Sequence, residues 1–345
     1  MFTRRSRAVI LASFLAAALA ISSAPIAHAS NWVLTDESVN LGLSGVSPHV
    51  ERVAGGDRVW RADMVPTGSA VALCNDAGVC TPEAFATGSN GPVADFTVAQ
   101  TPTGTRAYFK LLNMAANTQG VYSAPCLTAD CLSIGSATLT STGMVVSKDT
   151  KAWGVPDPVR LPDGRIRIYI VESPELTSSC PEKVASYIST DGVSFTKEAG
   201  WRLEGGYVDT EVLRARDNDW VMIVADGPGC GGTKGNQKPQ QLFITTSRDG
   251  LTWTAPQVLT GTDRGRLDPT GYEVTPNVFR IYYSSGGGMN PNFVLRRATL
   301  TIGKATGKAT ATTKAKKTTI SCVKGKMVKK VSGVNPTCPK GFKKR

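Results

Sequence analysis

The sequence predicts an all-β fold, a five-bladed β-propeller with four antiparallel strands per blade. Three observations predict it. A unit of strand, tight turn and aromatic-rich strand recurs along the chain, led by Ser47, Asp95, Asp157, Asp209 and Asp268. These leading positions are separated by 48, 62, 52 and 59 residues, the period of a repeat array rather than of isolated hairpins. Each unit then continues into a second short hairpin, which brings the strand count to four per repeat.

The clearest copy runs from Trp153 to Val171. Asp157-Pro158 opens a strand, Pro162-Asp163-Gly164 makes the turn, and Arg165 to Val171 alternates polar and apolar residues. The first unit is Ser47–Val53, a Gly55-Gly56-Asp57 turn and Arg58–Ala62. The second runs from Asp95 through Gly104 to Ala107-Tyr108-Phe109. The fourth is Asp209–Leu213, an Asp217-Asn218-Asp219 turn and Trp220–Val224. The fifth is Asp268–Val274, a Pro276-Asn277 turn and Val278–Tyr283.

The outer hairpins are read next. Val184–Ile188 and Gln241–Thr246 are third strands, followed by the turns Ser189–Gly192 and Ser247–Gly250. Val193–Phe195 and Leu251–Trp253 are read as the fourth strands. The last unit has a third strand at Asn292–Arg297 and no fourth before a basic linker begins. Asn31–Asp36 is expected to supply it and so pair an otherwise open edge.

Residues 1–29 read as an export signal. Arg4, Arg5 and Arg7 precede an apolar run from Ala8 to Ile21, and Ala27-His28-Ala29 is a small-x-small cleavage site. No later apolar run reaches membrane-spanning length, so no transmembrane segment is expected and the product is secreted. The propeller occupies residues 30–300, a Thr-, Ala- and Lys-rich flexible linker 301–317, and a small basic module 318–345. Eight cysteines in an exported chain suggest disulfides: Cys74 with Cys80, Cys126 with Cys131, Cys322 with Cys338, and by remainder Cys180 with Cys230. No Cys-x2-Cys pair suggests a metal, and no cofactor is expected.

The formal net charge of +12 is misleading. Thirteen Lys or Arg and no acid lie in residues 304–345, and three more Arg lie in the signal, so the main domain is mildly acidic. A specific nucleic-acid partner is therefore not indicated. The density of unopposed charge suits attachment of the tail to an anionic cell-wall polymer or surface. With His28 in the signal, His49 is the one histidine left, and no nucleophile elbow accompanies it.

In a propeller the starts of the innermost strands converge on one funnel. Here that brings Asp95, Asp157, Asp209 and Asp268 together, with His49, Glu51, Glu211 and Glu273 in the same strands. Crowded carboxylates raise one another's pKa values, the condition for a proton donor near neutral pH. Trp153 and Tyr207 precede inner strands and are candidates to stack on sugar rings, with core packing the plain alternative. The leading Asp residues also have a plain reading as turn caps. The Ser-x-Asp-Gly turns are structural, and the Gly227–Lys234 and Gly286–Gly288 runs lack a phosphate-loop setting.

With these motifs, the span 31–300 resembles the five-bladed propeller glycoside hydrolases of the arabinanase/xylosidase and invertase/levansucrase type. The resemblance implies a blade-one Asp as base or nucleophile, a later Asp that tunes the site, and a Glu in the next blade as general acid. By position Asp157 is the tuner and Glu211, or Asp209, the acid. Ser47 stands where the blade-one Asp is expected, leaving Asp95, His49 or Glu51 as candidate bases. The alternative is a non-catalytic surface propeller that binds glycan or protein. The tail resembles the Lys-rich, Cys-containing C-terminal segments of exported actinobacterial proteins.

Overall fold

The computed structural model describes residues 31–64, 67–150, 152–174, 180–227, 238–287, 290–303, 318–333 and 336–344. The expected signal, Cys230 and most of the linker lie outside the described residues. The described chain is all-β, with only two single-turn 3-10 helices, at Gly88–Asn90 and Thr142–Met144. No helix among the described residues is long and apolar enough to cross a membrane.

The first strand, β1 (Trp32–Asp36), does not pair with its neighbours in sequence. The first complete sheet is β2 (Val46–Val53), β3 (Gly56–Met64), β4 (Thr67–Cys74) and β5 (Cys80–Glu83), in that order. The second is β6 (Ala94–Thr101), β7 (Gly104–Asn113) and β8 (Thr118–Pro125), with β9 (Thr138–Leu139) and β10 (Val145–Ser147) both on β8. The third is β11 (Gly154–Arg160), β12 (Ile166–Glu172), β13 (Lys183–Ser189) and β14 (Thr196–Lys197). The fourth is β15 (Tyr207–Arg216), β16 (Asp219–Asp226), β17 (Leu242–Ser247) and β18 (Gln257–Val258). The fifth is β19 (Arg266–Thr275), β20 (Val278–Gly287) and β21 (Asn290–Ile302), completed by β1, which pairs from Trp32 opposite Ile302 to Asp36 opposite Ala298. A separate three-stranded sheet, β22 (Thr318–Lys324), β23 (Met327–Gly333) and β24 (Lys343–Lys344), forms the basic tail.

Second strands such as Ile166–Val171 and Val221–Ala225 are apolar almost without interruption because both of their faces are covered. The core is five clusters, each between two sheets. Trp60, Phe96 and Phe109 join the first and second; Tyr108, Ile166 and Ile168 the second and third. Tyr169, Trp220 and Met222 join the third and fourth; Ile223, Phe279 and Ile281 the fourth and fifth. Val50, Val59, Tyr282 and Leu295 join the fifth back to the first. The innermost strands β2, β6, β11, β15 and β19 contact one another in the same cycle.

Fourth strands differ from expectation in two sheets. Val193–Phe195 and Leu251–Trp253 are not strands; β14 and β18 begin later. The Asp191 carboxylate accepts from the N–H groups of Val193 and Ser194 (2.7 and 2.9 Å), and Asp249 does the same for Leu251 and Thr252 (both 2.8 Å). These bonds pull the following residues into the turn. The turns also dock on the preceding sheet, where the hydroxyls of Tyr108 and Tyr169 donate to the carbonyls of Gly192 (2.7 Å) and Gly250 (2.6 Å).

Cys74–Cys80, Cys126–Cys131 and Cys322–Cys338 are bridged as expected. Cys180 is also disulfide-bonded, while its expected partner Cys230 lies outside the described residues.

Candidate functional site

All five innermost strands begin with the same bulge. In each, two residues are skipped in the pairing with the next strand: Ser47-Pro48, Asp95-Phe96, Val155-Pro156, Asp209-Thr210 and Asp268-Pro269. The first residue of each pair is left-handed, with φ of 49°, 51°, 48°, 53° and 48°. That conformation is uncommon for Asp and Ser and a true outlier for the β-branched Val155.

This register corrects the sequence alignment in the third repeat. Val155, not Asp157, is level with Ser47, Asp95, Asp209 and Asp268. Asp157 lies one tier further along its strand, level with His49, Thr97, Glu211 and Thr270. The alignment followed the acidic residue. The Pro that follows Ser47, Val155 and Asp268 carries the true register.

The left-handed turns are held by bonds between sheets. In the first tier, Asp268 Oδ2 accepts from Ser47 N (3.0 Å), Asp209 Oδ2 from Asp268 N (3.2 Å) and Asp95 Oδ2 from Val155 N (3.3 Å). Ser47 Oγ donates to Asp95 Oδ1 at 2.8 Å. In the second tier, Thr270 Oγ1 accepts from Val50 N (3.3 Å), Glu211 Oε1 from Gly271 N (3.2 Å) and Asp157 Oδ2 from Val212 N (2.7 Å). Thr270 Oγ1 also donates to Glu211 Oε1 at 2.9 Å. Much of the carboxylate cluster therefore staples one strand to the next.

The charges divide into two groups. Asp95 is buried, which disfavours its ionised form, yet Lys110 Nζ at 2.7 Å, with Ser47 and Val155, holds its pKa below the usual range. Burial likewise opposes the Lys110 charge, but Asp95 outweighs it and raises the ammonium pKa. Lys110 also donates to the carbonyl of Trp153 at 3.2 Å. It was not foreseen from sequence, because only the approach of β7 to the start of β6 reveals it.

The other acids are pushed upward. Burial lifts Asp157 to about 7, against the Val212 N–H. Burial, then the charge of Asp157, raises Glu211 well above the usual carboxyl range. Burial, then Asp268, raises Asp209. Asp268 is pushed up to about 6, first by burial. A protonated carboxyl is thus available near neutral pH on the second tier, where Asp157 and Glu211 stand on adjacent strands.

Ser47, His49, Asp95, Thr97, Glu211 and Asp268 line an axial cavity of about 30 Å³. Such a volume holds about one water molecule; ligand cavities run to roughly 300–1,000 Å³. His49 is buried beside Trp60, ring centroids 5.5 Å apart, with Nε2 3.9 Å from Glu51 Oε1. Glu273 is elsewhere, paired with Arg214 at 2.9 Å and with Arg216. Trp153 is 3% exposed and packs in the core with Ile166 and Ile168, so its ring offers no face to a sugar. Tyr207 is half-buried edge-on against Phe243, 5.4 Å between ring centroids.

No family model matches the chain, and no curated protein matches it. Solved structures do. A thermostable family-43 glycoside hydrolase aligns at TM-score 0.52 and 12% identity over 77% of this chain and 91% of that one. An N-acetylgalactosamine deacetylase from F. plautii, in complex with blood group B trisaccharide, aligns at 0.52 and 13%, covering 74% and 89%. The alpha-L-arabinofuranosidase PaAbf62A from Podospora anserina, in complex with cellotriose, aligns at 0.51 and 10%, covering 79% and 97%. At such identities the likeness is one of fold. The expected resemblance to propeller glycoside hydrolases of the arabinanase/xylosidase type is met at that level.

Proposed function

We propose that the chain is an exported five-bladed β-propeller of glycoside-hydrolase type that acts on extracellular carbohydrate. The cyclic contacts of the inner strands and the five inter-sheet clusters support the blade count. The bridged cysteines and residues 1–29 support export. The basic sheet 318–344, devoid of acids, suits an anionic wall polymer.

One observation carries the chemical reading: Glu211 lines the axial cavity and shares a tier with Asp157 on the adjacent strand, and burial raises the pKa of both carboxyls far above the usual range. Glu211 is the proton donor to a leaving oxygen, and Asp157 sets its pKa. Asp95, the ionised carboxylate of the cluster, is the candidate base, and the bonds to Ser47, Lys110 and Val155 must loosen for it to activate water.

Two observations favour a second reading, a non-catalytic glycan-binding propeller. The blade-one positions of both tiers hold Ser47 and His49 rather than a carboxylate, and the axial cavity is an order of magnitude smaller than a ligand site. A glycoside panel on wild type and Glu211→Gln separates them. Turnover that Glu211→Gln abolishes supports hydrolysis; glycan binding without turnover in either protein supports the second reading.

A further inference from the structure

The segment 37–45 leaves β1, crosses β21 and enters β2, so it spans the seam where the ring of sheets meets itself. Three backbone bonds tie it down: Glu37 N to Arg297 O (2.9 Å), Leu295 N to Leu43 O (2.9 Å) and Gly45 N to Phe293 O (3.1 Å). Between segment and strand lies a cavity of about 650 Å³. That is far larger than the axial one and within the size of small-ligand sites.

Its lining includes the aliphatic side chains of Val39, Leu43 and Val294 and the polar ones of Glu37, Asn40 and Arg296. Arg296 is the unusual member. Among the described residues it makes no hydrogen bond and no ion pair, and its Nε is shut off from solvent. The acids nearest in the chain at the seam are already committed. Asp36 accepts from Tyr283 Oη (2.6 Å), Arg266 (3.2 Å) and Arg264; Glu37 accepts from Arg297 Nε (2.6 Å) and Thr299 Oγ1 (3.0 Å). Arg296 is half-buried with its Nε unsatisfied, and an anionic ligand in the cavity would give its guanidinium the acceptor that the described residues do not.

We infer that the seam cavity binds a small carboxylate-bearing sugar, a uronate, with its carboxylate on Arg296 and its ring against the aliphatic side chains. The anionic group follows from Arg296 alone; the sugar class rests on the carbohydrate reading above. A uronate matches a planar guanidinium fork in a way that a neutral sugar cannot.

The test titrates D-glucuronate, D-glucose and inorganic sulfate into the full secreted protein, followed by NMR shifts or calorimetry. The expected result is saturable glucuronate binding at least tenfold tighter than glucose or sulfate, weakened by added salt, and lost by tenfold or more in Arg296→Gln. Val294→Trp, which fills the cavity and keeps the charge, loses it too and guards against misfolding of the first variant. Glu211→Gln is titrated alongside and keeps glucuronate binding, which separates this site from the axis. Glucose or sulfate binding as tightly as glucuronate, unchanged binding in both seam variants, or loss confined to Glu211→Gln overturns the inference.

Discussion

Replacing Asp157 with Asn removes one buried ionisation while keeping an oxygen for the Val212 N–H. In the folded protein burial lifts this carboxyl from 3.8 to about 7; in the unfolded chain it titrates near 3.9. The folded state therefore binds the proton more tightly. Its contribution to stability is complete below about pH 4 and disappears as pH rises through about 7. At ~1.4 kcal/mol per pH decade, the ionisation penalty by pH 8 is on the order of 4 kcal/mol. The Asn amide brings a fixed cost of about 1 kcal/mol for an N–H group that needs an acceptor. Wild type and Asp157→Asn should thus differ little at pH 4.5, the variant if anything weaker, and the variant should be more stable by a few kcal/mol at pH 8. Urea unfolding at pH 4.5, 6 and 8 measures this. A difference between the two proteins that stays flat across pH refutes the assignment of a raised pKa to Asp157.

Other substitutions probe the same framework. Lys110→Met strands the buried Asp95 charge and should cost about 3–5 kcal/mol; adding Asp95→Asn should recover most of it, read from a double-mutant cycle of urea melts. Gly250→Ala puts a methyl 2.8 Å from both the Trp220 ring and the Tyr169 hydroxyl at φ 68°, and should destabilise by roughly 2–3 kcal/mol. Gly164→Ala, at φ 88° with nothing within 4 Å, carries only the backbone strain of about 1–2 kcal/mol, so equal losses at the two sites would refute the packing argument. Where turnover is found, Asp157→Asn should move the alkaline limb of its pH profile to lower pH, because the charge that raises Glu211 is gone.

Much of the fold is written in local signals. Alternation and turn chemistry mark the hairpins, and Trp32-Val33-Leu34 with its polar neighbours was recognisable as the strand that completes the last sheet. The errors have local causes of a different kind. Asp191 and Asp249 fold their carboxylates over the residues that follow, which erases two expected strands. At the site, the bulge shared by all five inner strands decides which residues are level, and it depends on pairing with a second strand. Asp157 therefore looked like the partner of Asp209, whereas it stands beside Glu211. The presence of a crowded acidic axis was legible. Its division into an ion pair, Asp95 with Lys110, and a pair of acids with raised pKa values, Asp157 with Glu211, was not, because both depend on which strands meet across the ring. Nor does sequence carry the volume of the axial cavity or the isolation of Arg296 at the seam.

In the proposed function, Glu211, held protonated beside Asp157, gives this propeller a carbohydrate-directed site. The most direct measurement is hydrolysis across a broad panel of glycosides and polysaccharides by the wild-type protein and by Glu211→Gln. The account predicts turnover by wild type on at least one glycoside, reduced about 10²–10⁴-fold in Glu211→Gln, with folding unchanged. Turnover that survives the substitution, or no glycoside cleaved and no glycan bound, would contradict it.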